Sequence, residues 1–154
     1  MSRLLLPVIA FSLNGYGEFI RLNIDEVFGY PDQTSYGGGY GAKGSIEISV
    51  GGYKVNSQHY FTTGELYMFK ESLVNCYENL SGIAKLENTE RELDLSVSFN
   101  RMGKVKITGW FQERPDLTNR LLFEIDSDQS FIFPVIKELE DIEKIFGNMK
   151  GVKR

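Results

Sequence analysis

One histidine, one cysteine, two pairs of neighbouring carboxylates and a run of glycines are the residues through which this chain could do chemistry. The stretch SYGGGYGAKG, Ser35–Gly44, contains Gly39-Tyr40-Gly41-Ala42-Lys43-Gly44, which satisfies the G-x-G-x-x-G spacing of phosphate-binding loops. A dinucleotide fingerprint needs a strand before those glycines and a helix after them, because the pyrophosphate rests on the helix N-terminus. Here Ser-Ile-Glu-Ile-Ser-Val follows and alternates like a strand. No GK[ST] completes a P-loop, and the HRD and DFG sequences that accompany a kinase glycine loop are absent. The run therefore reads as a mobile glycine hairpin between strands. The remaining reading is a loop that recognises a partner, for which Tyr36 and Tyr40 supply rigid contacts.

His59 is the only histidine. A zinc site would have to draw on Cys76 and carboxylates, and no spacing supports one. A Cys76–His59 dyad is formally possible. However, Cys76 falls on the apolar stripe of a helix and reads as a buried, inert thiol, and His59 reads as a partly packed loop residue. The pairs Asp126/Asp128 and Glu113/Asp116 could share acid–base work. Their plainer roles are solvating turns and, for Asp128, capping a helix. Neither a catalytic set, nor a metal site, nor a cofactor is expected.

Those residues need elements to hold them, and period-two patterning supplies most of these. Leu4–Leu13 is apolar but too short to span a bilayer, is interrupted by Pro7 and lacks an A-x-A site; it is expected to be a first strand rather than a signal remnant. Glu18–Asp25 and Ile46–Val50 alternate, Phe28–Lys43 is loop by composition, and Gly51-Gly52 suits a two-residue turn before a returning strand at Tyr53–Tyr60. Thr62 and Glu65 have capping-box spacing. Beyond them Leu66, Phe69, Leu73, Cys76, Tyr77 and Leu80 form one helical face, and Gly82 is placed to end it. Strands are expected at Ile83–Leu86, Leu93–Phe99, Val105–Phe111 and Leu121–Ile125, with turns at Asn100–Gly103 and Pro115-Asp116.

A second helix is expected over about Pro134–Phe146, on the spacing of Phe131, Val135, Leu139, Ile142 and Phe146. Gly147 stops it, and a basic tail, residues 148–154, is expected to fray. No internal repeat or linker is visible. The expected fold is α+β: one domain over residues 1–154, with an antiparallel meander of six to seven strands and helices at about 63–80 and 134–146. In the strand Val105–Phe111, Trp110 shares the polar face with Lys104, Lys106 and Thr108. It is either an interface anchor or covered by a helix or the N-terminal strand.

Composition narrows the function classes. A net charge of −4, from 17 basic and 21 acidic side chains, argues against non-specific nucleic-acid binding, and nothing points to a membrane. A mildly acidic surface suits a basic protein partner. A single cysteine permits no intrachain disulfide and fits a reducing compartment.

The segment LLFEIDSDQSFIFPVIKEL, Leu121–Leu139, resembles that of small bacterial immunity proteins of the WapI-like type. So does the capped helix running into NLSGIAKLE, Asn79–Glu87, followed by strands with Gly103 and Gly109. The resemblance covers roughly residues 40–147. It implies a cytoplasmic protein that neutralises a toxin domain delivered by competing cells, with no catalytic residues. It carries no toxin-binding residue onto this chain; Asp128, Gln129 and Ser130 match the motif, but their expected role is to start the helix. The leading expectation is thus a binding protein whose cognate toxin contacts the loop bearing Tyr30, Asp32, Tyr36 and Tyr40, or the Trp110 face. A small enzyme or ligand carrier using His59, and a structural component of a secretion or phage assembly, are the alternatives.

Overall fold

Residues 6–152, which the computed structural model describes, form eight strands and two helices. Strands β1 (Val8–Asn14), β2 (Phe19–Phe28), β3 (Gly41–Val50) and β4 (Tyr53–Thr62) make one antiparallel meander, followed directly by helix α1 (Thr63–Asn79). Strands β5 (Gly82–Glu87), β6 (Leu93–Phe99), β7 (Lys104–Phe111) and β8 (Leu121–Asp128) make a second meander, followed directly by helix α2 (Gln129–Phe146). The class is α+β as expected, but the expected single sheet is two sheets of four strands. The physical reason is α1. It carries the chain away from β4 and lies against β5, so β5 pairs with β6 alone.

Alternate residues of both sheets point into one core: Leu22, Ile24, Ile46 and Ile48 from the first, Leu95, Val97, Ile107 and Ile125 from the second. The Ser127 hydroxyl donates to the Asn14 carbonyl at 2.7 Å, joining β8 to the end of β1. The helices complete the enclosure crosswise, α2 against β1, α1 against β5, and each against the other. Glu138 of α2 accepts the Ser12 N–H of β1 at 3.0 Å, and burial pushes its carboxyl above the ordinary range. Lys70 of α1 donates to Glu143 of α2 at 2.6 Å and to Glu71 at 2.8 Å. Burial works against the Lys70 charge, but its hydrogen bonds to the two carboxylates outweigh burial and its pKa ends up raised.

The architecture repeats where the sequence shows no repeat. A Cβ on Gly44 of β3 would collide with the Asn23 carbonyl oxygen of β2 and sit 3.0 Å from the Phe61 ring of β4. A Cβ on Gly109 of β7 would collide with the Asp94 carbonyl oxygen of β6 and sit 3.1 Å from the Phe123 ring of β8. In each half, a glycine in the third strand lets the second strand and an aromatic of the fourth close over it. In each half, too, the last strand residue, Thr62 or Asp128, caps the helix.

Local boundaries differ from expectation for identifiable reasons. The Thr62–Glu65 capping box forms, but α1 ends with Leu80 in the left-handed region (φ +49°), and Gly82 opens β5. Asp128 caps α2 as expected, accepting the Ser130 N–H at 2.8 Å, and the helix therefore starts at Gln129 rather than near Pro134. Pro134 therefore sits in the second turn and costs one backbone bond. The expected first strand begins at Val8; Leu4 and Leu5 lie outside the described residues. Residues 148–152, part of the basic tail, are hydrogen-bonded to the glycine loop: Gly39 N–H donates to the Met149 carbonyl at 2.7 Å, and Val152 N–H to Tyr40 Oη at 3.0 Å. Residues 153–154 lie outside the described set. No helix among the described residues is long and apolar enough to cross a membrane.

Candidate functional site

His59 lies within β4 rather than in a loop, and only 1% of it is exposed. Its ring stacks on Phe61 and meets Phe111 edge-on. His59 Nδ1 is 3.0 Å from Glu92 Oε1, so the one imidazole does face a carboxylate. Glu92 Oε1 also accepts the Tyr60 N–H at 3.1 Å, and the Glu92 N–H donates to Asn88 Oδ1 at 3.1 Å. The pair thus fastens the β5–β6 loop to β4, and His59 lines none of the surface clefts described below. Cys76 sits in the last turn of α1 beside Gly82, and burial pushes its thiol up, away from the reactive thiolate.

The carboxylate pairs are likewise engaged. Asp128 accepts from the Ser130 N–H and hydroxyl and from the Tyr16 hydroxyl, bonds that hold its carboxyl below the ordinary range, the Ser130 hydroxyl foremost. Asp126 shares the outward face of β8 with it, opposite Lys106. Glu113 accepts the Ser57 hydroxyl at 2.7 Å, and Asp116 pairs with Arg114 at 2.7 Å.

The glycine run is a wall rather than a cradle. From Gly41 onward it is strand β3, so the glycines run into a strand and not into a helix, and the helix start they touch, Thr63-Gly64 of α1, is packed directly against Gly38 and Gly39. Residues 29–40 form a loop packed on the start of α1: Tyr40 N–H donates to Thr63 Oγ1 and Thr63 N–H returns to the Tyr40 carbonyl, both at 2.8 Å. Tyr40 is fully buried, with its hydroxyl donating to the Pro31 carbonyl, so its ring belongs to the core. Tyr30 is partly buried against Tyr40 and Phe146. Asp32 is exposed, and Tyr36 projects fully into solvent.

Two clefts adjoin this loop. One, of about 720 Å³, lies between α1, β5 and the β5–β6 loop, and Met68, Ile83 and Met149 line it with Lys85 and Arg91. The other, of about 380 Å³, lies between the 29–40 loop and β4, lined by Phe28, Tyr36 and Tyr60. Gly37, Glu65 and Thr89 border both, so the clefts adjoin. Glu65 is the strut beneath them. It accepts from Thr62 N–H at 3.3 Å, Asn88 Nδ2 at 3.0 Å and Thr89 N–H at 3.0 Å, tying the α1 cap to the β5–β6 loop.

All six named apolar linings are exposed. Aromatic and methionine side chains gathered at a polar-rimmed depression have the composition of a protein contact surface. Of these, Tyr36 alone was legible beforehand. The available signal was phase: Met68 falls off the α1 stripe, and Ile83 points opposite to Ala84 and Leu86.

Trp110 lies elsewhere. It is partly buried on the outward face of β7, and what covers it is Arg120, whose guanidinium stacks 4.0 Å from the ring centroid.

The family model described as "Immunity protein WapI-like family" matches residues 10–147. The match takes in the first two strands, where the sequence alone suggested no likeness. None of the curated proteins matches, nor does any solved structure.

Proposed function

The chain belongs to the immunity protein WapI-like family, and from that premise we propose that it is a non-catalytic cytoplasmic protein that neutralises a cognate toxin by binding it. The toxin contacts the two adjoining clefts around the 29–40 loop, with Tyr36, Met68 and Met149 as anchors. The observation that carries this reading is the gathering of six exposed apolar side chains at one place, beside a loop held rigid by backbone bonds at both ends. Rigid aromatic and adaptable methionine anchors are what concentrates binding energy in a small area. Supporting a binding role over catalysis, the one imidazole–carboxylate pair is packed between Phe61 and Phe111 and serves to join two elements.

The test is co-expression with candidate toxin domains from the neighbouring genes. The proposal expects growth to be restored and a stable complex to be isolated. Persistent toxicity with no complex would refute it.

A further inference from the structure

The sheet edges are not treated alike. α2 lies along β1 and α1 along β5, whereas β4 forms an edge of the first sheet with its own hydrogen-bonding groups to satisfy. The direction of those groups follows from the turn. Gly51-Gly52 is a two-residue hairpin, so Val50 and Tyr53 exchange both bonds, and the register runs unbroken from there to Gly41 opposite Thr62. Every second residue from Tyr53 therefore turns its backbone toward β3, and Lys54, Asn56, Gln58, Tyr60 and Thr62 turn theirs outward.

The far end confirms the phase. Tyr60 N–H goes to Glu92, the Tyr60 carbonyl accepts from Asn88 Nδ2 at 3.1 Å, and Thr62 N–H goes to Glu65. The near end has no such partners: among the described residues, nothing accepts from the N–H groups of Lys54, Asn56 and Gln58. The Gln58 carbonyl lies 3.3 Å from the Ser57 hydroxyl, but that hydroxyl's single proton is directed to Glu113 at 2.7 Å. A cleft of about 530 Å³ runs beside this half of the strand, between Lys54, Val55 and Asn56 on one side and Phe111, Arg120 and Leu121 on the other.

We propose that the Lys54–Gln58 edge accepts an extended segment of a partner protein as a fifth strand, one in which apolar residues alternate with acidic ones. The outward N–H and C=O groups supply the ladder. Inward side chains of the added strand meet Val55, Phe111 and Leu121, which gives the apolar alternation. Outward ones meet Lys54, and Arg120 borders the same cleft from the opposite wall, so these two cations set the sign. Lys54 belongs to no ion pair among the described residues. Arg120 is held by the Trp110 face and the Gln112 side-chain oxygen rather than by a carboxylate. Glu113, which accepts the Ser57 hydroxyl and keeps its charge, is the one carboxylate lining the cleft among the described residues, so the two cations leave a positive surplus. This edge lies at the opposite end of β4 from Tyr60, so the inference stands or falls independently of the clefts.

The experiment titrates the isotopically labelled full chain with a short acetylated peptide in which valine alternates with glutamate. The amides of Lys54, Asn56 and Gln58 are expected to shift and to exchange at least about tenfold more slowly. The same peptide with lysine for glutamate should bind at least about tenfold more weakly. Asn56→Pro removes an N–H that points away from β3 and so spares the hairpin ladder, with the thermal melt reporting retention of the fold. It should weaken peptide binding at least about tenfold. Should that variant unfold, Lys54→Glu carries the test by reversing the preference between the two peptides. No change at those amides at millimolar peptide, equal affinity for both peptides, or undiminished binding by folded N56P would overturn the proposal.

Discussion

The Gly39 N–H donates to the Met149 carbonyl oxygen at 2.7 Å, fastening the glycine-rich loop to the segment that follows α2. The Met149 side chain fills the space beside Gly38 and Gly64, so a cleft wall depends on residues close to the C-terminus. A chain ending at Gly147 loses this bond and the one from Val152 to Tyr40. Amides of the 29–40 loop should then exchange faster by about tenfold, while stability falls by only about 1–2 kcal/mol, the worth of one backbone bond and one bond to a tyrosine hydroxyl. Hydrogen exchange and urea unfolding of the truncated chain check both.

Gly44→Ala and Gly109→Ala should each destabilise by about 3 kcal/mol or more, because the new methyl meets a neighbouring strand's backbone rather than a movable side chain. Gly52→Ala, where nothing lies within 4 Å, should stay within about 0.5 kcal/mol of the parent. Comparable losses at the two buried glycines, measured by urea unfolding, would show that the two halves close by the same device.

Replacing Lys70 with Met removes the ammonium between α1 and α2 and should cost about 1–2 kcal/mol near neutral pH. Folding raises the Lys70 pKa, so its contribution is complete below the ordinary lysine range and fades as pH rises through the higher folded value. The hydrogen bond from Lys70 is the main cause of the lowered Glu71 pKa, and that contribution fades as pH falls through the lower folded value. The difference between parent and variant should therefore be widest between about pH 6 and 9, as read from urea midpoints.

Glu138 behaves in the opposite sense. Burial raises its carboxyl, so the folded chain holds that proton more tightly and this group's contribution to stability improves as pH falls toward the ordinary carboxylate range. Glu138→Gln keeps an acceptor for Ser12 N–H and should be at least as stable as the parent at pH 7, with this part of the pH dependence gone. Glu138→Ala leaves that N–H without its partner and should lose about 1 kcal/mol.

Strand positions were legible because alternation is a local property: Leu93–Phe99 and the Gly51-Gly52 turn stand where the pattern puts them. The division into two sheets was not, because it depends on where α1 docks, and nothing in its own stripe names β5 as the partner. The repeat was hidden because what recurs is a steric requirement at Gly44 and Gly109, not a run of identical residues. Tyr40 looked like a surface contact by composition, but the loop folds back on α1 and on Phe146 and takes the ring inside. Of the cleft, Tyr36 alone could be read from a loop; Phe28, Tyr60, Met68, Ile83 and Met149 are brought together from five separate places in the chain.

The central claim is that the clefts beside the 29–40 loop bind a protein toxin. Titration calorimetry of a toxin domain taken from a neighbouring gene against the parent and against the double variant Tyr36→Ala/Met68→Ala tests it most directly. The account predicts saturable binding by the parent, at least about a hundredfold weaker binding by the variant, and an unchanged melting temperature, since both side chains are exposed. No heat of binding with the parent, or equal affinity in a folded variant, would contradict it.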